Sequence, residues 1–565
     1  MMGMVGLTVD LGWMHFVKKS AQAAADAAAL ASASRALATI GQLRGVSCGE
    51  TDLCPPGTGP CTLACSPSIT DCPSGVTSAS NSVQEACYFA AKNQFTMGAK
   101  SGRQAVRVQA DAGGSPPTVP GITADYWTTV RVSETVPQLF SAVLGNLFGT
   151  SAARATAVII AQPAPASFYG LNRENDHGMR IGNDDGVGSD IRMQGGGYFR
   201  AEGGAYLAST AHGAPNYSGS SGGSAETISD FVNIRGSGWV DDPGQFVSSP
   251  GGTSVAENGF PDGNNFKDPF RGMGNPPAPE PGTGHAVSGG SISGPRSSGG
   301  VCTDWMVLEP GYYYAAGPNG KATGGTLEFD GCVRFDSGSS FGDYVFYGGV
   351  HFTHGAYVEI APGRYILAGT SGANLLEVDN QTYLTDNQPV DAPANTAGEL
   401  FVFTDPSYLA SIPDPLRTVA GQLGFGAVEF KTGSNDGSFV NLHGLNADRL
   451  PSAYESLEPF APVLFWQDPR NSRCADPLDY ATACAGSSGK KDNDPNMMLT
   501  ASPELHLYGT IHQPRGATFQ VHSTGTLSGP IQLITGELVV GEGNPRINFT
   551  RLASYATRRV VALVE

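Results

Sequence analysis

Positive charge is scarce in this chain. Its 565 residues carry 33 Lys and Arg against 51 Asp and Glu, a formal net charge of -18, and affinity for a phosphate backbone rests on clustered Lys and Arg releasing counterions. No nucleic-acid partner is therefore expected. Long apolar runs are missing as well. Met1 to Val17 is apolar apart from Thr8, Asp10 and His15, whereas a full membrane span needs about 20 apolar residues. No basic segment precedes that run, and Lys18-Lys19 follow it, the reverse of a secretory signal peptide. A Walker A sequence, a dinucleotide fingerprint after a strand and an HExxH pair are also absent, so three common chemistries have no motif to carry them.

Glycine and proline are what the chain has in quantity, 76 and 39 residues, a composition of turns and short strands. At this length one compact core is not expected; two or more domains or an elongated repeat are. The ten cysteines are an even count. Cys48, Cys54, Cys61, Cys65, Cys72 and Cys87 cluster, while Cys302 with Cys332 and Cys474 with Cys484 form separated pairs. That pattern points to disulfides and an oxidising compartment. Zinc is the weaker reading: the nearest approach to CxxC spacing is Cys61 to Cys65 and no histidine lies from residue 48 to residue 87, which leaves a site of four cysteines as the zinc alternative. Connectivity within the six stays open.

The stretch "GLTVDLGWMHFVKKSAQAAADAAALASA" continues the apolar run into an Ala-rich segment of high helix propensity, expected to run to about Leu37. It reads as the outer half of a transmembrane helix that begins before Met1, with Asp10 near the interface. These residues resemble the N-terminal segment of Flp pilus-assembly TadE/TadG-like proteins. Gly6, Val9, Asp10 and Gly12 fall on a "G-x-x-V-D-x-G" phrase. Gln22, Ala24, Ala25, Asp26, Ala27, Ala28, Ala29, Leu30 and Ala31 fall on "Q-x-A-A-D-A-A-A-L-A". The resemblance implies a bacterial, single-pass, membrane-anchored envelope protein with its body outside the cytoplasm, and other Tad, pilus or envelope proteins as partners. No Gly-x4-Glu prepilin site and no D-x-S-x-S metal-adhesion signature is present, so neither pilin processing nor that adhesive mechanism is carried over.

Beyond the anchor (residues 1–40), residues 41–162 read as a Cys-rich insertion and a small α+β module. "SVQEACYFAAKNQF" has helical period, "QAVRVQADA" and "ADYWTTVRVSETV" alternate as strands, and "PQLFSAVLGNLFG" reads as an amphipathic helix. Val136-Pro137 to Gly145, with "ARATAVIIAQ" after it, also resembles the TadG-like pattern. Residues 163–300 form a Gly-rich β segment containing a Pro/Gly linker or loop at 260–284. Residues 301–565 read as a solenoid-like C-terminal body. "EPGYYYAAG" and "APGRYILAG" repeat a Pro-Gly-x-Tyr pattern, with "GGTLEFDG" and "GGVHFTHG" between them as successive rungs. A sandwich with coincidental repeats is the competing fold. The expected class is mainly β: a helical anchor, a small α+β module and a right-handed β-helix or solenoid-like body.

Chemistry is sparse. Asp184, Asp185 and Asp190 in "NDDGVGSD" are the candidates for a carboxylate pair in a β-helix carbohydrate-active enzyme, but Asn-Asp-Gly is what tight turns need, and the EF-hand order that calcium would call for is missing. His351 and His354 stand three apart, which puts them on opposite faces of a strand. "GSSGG" at 219–223 and "GVSCG" at 45–49 match G-x-S-x-G outside its strand-to-helix context. No catalytic residue, cofactor, metal or small-molecule substrate is expected. The reading is a structural or interaction protein of Tad pilus assembly or envelope attachment; the alternative is a secreted carbohydrate-active enzyme or free adhesin.

Overall fold

The computed structural model describes residues 2–40, 47–49, 63–163 and, between 167 and 565, the strands and connections named below. The chain forms two compact units. Unit 1 comprises 1–163, 269–273 and 557–565; unit 2 comprises 164–268 and 274–556.

Unit 1 is a helix laid on an antiparallel sheet. Helix α1 (Met2–Ile40) is followed by β1 (Ser66–Asp71), α2 (Ser82–Lys92), β2 (Gln104–Ala112), β3 (Tyr126–Pro137) and β4 (Phe148–Pro163). The strands pair in that order, and Thr557–Leu563 joins the far edge of β4. Alanines at helical spacing face the sheet: Ala21, Ala24, Ala25, Ala28, Ala29, Ala33 and Ala36 are completely buried against Val106, Val108, Tyr126, Val130 and Val132. Side chains this small let the helix backbone approach closely, and alanine is also the best helix former. The helix α2 begins at Asn81, whose side chain accepts the amide of Gln84, a side-chain N-cap. Disulfides Cys48–Cys65 and Cys72–Cys87 close two short loops here. Cys54 and Cys61 lie outside the described residues.

Unit 2 is built from parallel strands. Strands follow one another in threes, each pairing in parallel with its counterpart one coil later. Gly311–Ala316, Gly342–Tyr347, Gly363–Ala368, Glu399–Thr404 and Val463–Gln467 make sheet I. Leu327–Asp330, Val350–Phe352, Leu376–Val378 and Val428–Lys431 make sheet II. Cys332–Phe335, Tyr357–Glu359, Tyr383–Thr385 and Phe439–His443 make sheet III. This arrangement buries faces that no single coil could bury. Inside, like residues stack: Tyr344, Tyr365 and Phe401 lie ring on ring at 4.8 and 4.9 Å, a favourable aromatic geometry. The Pro-Gly-x-Tyr repeat is a corner device, because Tyr313 donates to the Glu309 carbonyl and Tyr365 to the Ala361 carbonyl, each four residues back. Gly349 is required at another corner, where a Cβ would come 1.9 Å from the Asn374 carbonyl oxygen. Cys302 and Cys332 are disulfide-bonded; Cys474 and Cys484 lie outside the described residues.

Two expectations gain detail. Strands on both sides of residue 300 belong to one unit: Phe168–Gly170 pairs in parallel with Leu533–Thr535, and Tyr198–Ala201 with Arg546–Phe549. The segment before 260 thus extends the same stack from its C-terminal coil, since open parallel edges accept any strand of matching pattern. The expected loop at 260–284 is, from Asn275 to Glu280, a strap along sheet I. Trp466 Nε1 donates to Asn275 Oδ1 at 3.1 Å, Tyr408 to the Pro276 carbonyl, Arg364 to the Pro277 carbonyl and Tyr312 to the Glu280 carbonyl at 3.2 Å. The five residue steps from Asn275 to Glu280 cover about 16 Å at about 3.1 Å each, enough to run past several strands about 4.8 Å apart.

Candidate functional site

The site is built where α1 meets the connection between β3 and β4. That connection, expected as an amphipathic helix, contains only a 3-10 turn at Ser141–Leu144. A carboxylate from α1 organises it: Asp10 is buried and accepts the amides of Leu139 (3.0 Å), Phe140 (2.9 Å) and Ser141 (2.7 Å). Asp10 thereby does from afar what an N-cap side chain does locally. Burial works against its ionisation, but the amides of Ser141, Leu139 and Phe140 together outweigh it and hold the carboxyl below its ordinary range. One turn on, Ser151 Oγ donates to the Met14 carbonyl at 3.0 Å. Gly149 lies so close that a Cβ would come 2.7 Å from Met14 Sδ. The connection is therefore clipped to α1 at residues 10 and 14.

What the clip leaves outside is apolar. Val9, Leu11, Trp13 and Phe16 on α1 are exposed, and so are Leu139, Phe140, Val143, Leu147 and Phe148; Val143 is 87% exposed and Leu139 72%. Trp13 and Phe16 stack at 5.5 Å. Residues 138–149 carry no charge, Asp10 is the sole acid from 1 to 19, and Lys18 and Lys19 stand exposed beside Phe16. Large contiguous apolar surface edged by cations marks an interaction surface. Among the described residues, no helix is long and apolar enough to cross a membrane. The expected membrane helix is thus not seen as a span, because Asp10 and Lys18-Lys19 interrupt the apolar run of α1.

The motif residues divide by role. Asp10 clips the connection, while Ala24, Ala25 and Ala28 are core. Gln22 Nε2 donates to Asp26 Oδ1 at 2.7 Å and to the Arg154 carbonyl at 3.0 Å, tying helix to sheet. Val9 and Leu30 are exposed, and a Cβ on Gly12 would meet nothing. Gly6 lies within α1. Elsewhere, His351 Nε2 sits 2.9 Å from Asp379 Oδ2 on the outside of sheet II, with Glu377 beyond, while His354 is an exposed turn residue. Glu377 is already bonded by Lys431 at 2.6 Å, while Asp379 is held by His351. Asp184, Asp185, Asp190 and the 219–223 segment lie outside the described residues. Sequence reasoning missed the exposed residues 139–148, whose helical spacing looked like a buried stripe.

No curated protein and no solved structure matches the chain. Residues 1–35, which contain Asp10 and the first buried alanines, match the family model of Flp pilus-assembly TadE/G-like proteins (Tad), and the similarity covers that segment alone.

Proposed function

We propose that this is a non-catalytic envelope protein related to Tad (Flp) pilus assembly or envelope attachment, held at a membrane by unit 1 and displaying unit 2 outside the cytoplasm. The observation that carries this is the apolar tip that Asp10 assembles from α1 and residues 139–148. Tryptophan, phenylalanine and lysine together are the residues that settle at a membrane interface. The family match over residues 1–35 and the disulfides of both units support the same placement. Unit 2, taken as a right-handed solenoid by the handedness rule for parallel crossovers, offers a long surface to envelope partners.

The test is flotation of the full chain with vesicles of phosphatidylglycerol and phosphatidylcholine. The native chain should rise with the vesicles, and the Leu11→Asp, Val143→Asp double variant should stay below. Both side chains are exposed, so folding is unaffected by the change. A native chain that stays below removes the attachment reading.

A further inference from the structure

Unit 1 holds three arginines in a row. Across the antiparallel strands, Arg107 of β2 stands opposite Arg131 of β3, which stands opposite Arg154 of β4. Like charges directly opposed across strands destabilise a sheet. In a chain of net charge -18, such a row is not a by-product of basic composition. Its outer members are answered: Arg107 Nε lies 2.8 Å from Asp71 Oδ1, and Arg154 pairs with Glu565. The middle one is not. Arg131 Nη2 donates to Gln109 Oε1 at 3.3 Å, and its Nη1, shut from solvent, has no hydrogen-bond partner among the described residues. Burial first, then the charge of Arg154, push this guanidinium below its ordinary value, with Glu565 acting the other way. All three arginines line one open pocket of about 680 Å³, together with Ser133, Gln22 and Glu565.

We propose that this pocket binds a tetrahedral oxyanion of the phosphate class, gripped by Arg131 with Arg107 and Arg154 on either side. A planar guanidinium fork matches phosphate oxygens in pairs, and charge-assisted bonds of this kind are the strong ones. An anion would answer the charge of Arg131, offset the repulsion along the row and compete with Glu565 for Arg154. The volume leaves space for whatever the phosphate is attached to. The proposal is independent of the membrane reading, because the pocket residues are none of those that form the apolar tip.

The experiment titrates the full chain with inorganic phosphate by calorimetry at low salt, and repeats the vesicle flotation with phosphatidylglycerol against phosphatidylcholine alone. Expected are one phosphate site per chain, weakened at least about tenfold in Arg131→Gln and unaffected in Arg296→Gln, an exposed arginine of unit 2. The melting temperature of Arg131→Gln should equal or exceed that of the native chain, since the substitution removes repulsion; this separates lost binding from lost folding. Arg131→Lys, which keeps the charge without the fork, should fall between. A phosphatidylglycerol preference that disappears with Arg131 identifies a lipid headgroup as the source, and phosphate binding without that preference identifies a free anion. Equal binding by Arg131→Gln and the native chain, or an equal loss in Arg296→Gln, overturns the proposal. So does the absence of any Arg131-dependent response to either probe.

Discussion

Sheets I and II of unit 2 are stacked by the same parallel rule, yet they are built from different kinds of sequence. In sheet I, every residue of Gly363–Ala368, Glu399–Thr404 and Val463–Gln467 is buried. In sheet II, Val350–Phe352 and Leu376–Val378 bury their first and third residues and turn the middle one, His351 or Glu377, outward. The difference lies in what covers them. Sheet I has the coil interior on one side and the strap 275–280 on the other, with Phe460 packed edge-on to Trp466. Sheet II faces outward with a ladder of His351, Glu377, Glu429 and Lys431. Parallel strands buried on both faces read as continuous apolar runs, whereas strands with one wet face alternate.

Substitutions on the two sheets should separate accordingly. The largest loss is expected at Trp466, which is fully buried and anchors the strap through Asn275. Trp466→Ala should cost about 3–5 kcal/mol, read from the denaturant midpoint of unit 2 followed by circular dichroism. A loss under 1 kcal/mol would mean that the strap does not cover sheet I in solution. Next comes Arg364, buried and bonded both to Asp343 at 2.9 Å and to the Pro277 carbonyl. Arg364→Ala leaves two acceptors without their donor and should cost about 1–3 kcal/mol. Proteolysis should then cut first within 274–284.

A third, pH-dependent effect belongs to Glu399, at the start of its sheet I strand. Burial, then the neighbouring charge of Asp386, push its carboxyl well above the ordinary 4.5, against the opposing amide of His443. Folding therefore favours the protonated form. The contribution is fully present below the unfolded value and is lost as pH rises through the folded one. Glu399→Gln, which imitates the protonated side chain, should melt higher than the native chain in neutral solution, with the gap closing as pH falls toward 4.5. A gap independent of pH would remove Glu399 as its source. The smallest effect is expected on sheet II: His351→Ala should stay within about 0.5 kcal/mol, since its half-exposed contact with Asp379 faces water.

Much of this was legible beforehand, for identifiable reasons. Strand β2, the second half of β3 and helix α2 announce themselves because each has one wetter face, so their apolar period is visible. The Pro-Gly-x-Tyr repeat was legible because each corner is closed within five residues. The strap was not, since its partners lie far along the chain, Trp466 being 191 residues from Asn275. Residues 139–148 misled because helical spacing of apolar residues does not say whether they will be covered. Here Asp10, some 130 residues away, holds the first amides of the connection, and the apolar residues beyond them stay uncovered. The arginine row is invisible for the same reason: Arg107, Arg131 and Arg154 become neighbours only through strand register.

The sequence alone determined the local grammar of this protein: an alanine helix, alternating strands, glycine corners, and a cysteine content that calls for oxidation. These follow from backbone sterics, propensity and period, all of which act over a few residues. The tertiary structure alone decided which apolar surfaces are covered and which stay open, where the segment before 260 joins the stack, and which charges meet. Burial and electrostatics act between groups that are close in space, and only the register of α1, β2, β3 and β4 made Asp10 a clasp and three separated arginines a single pocket.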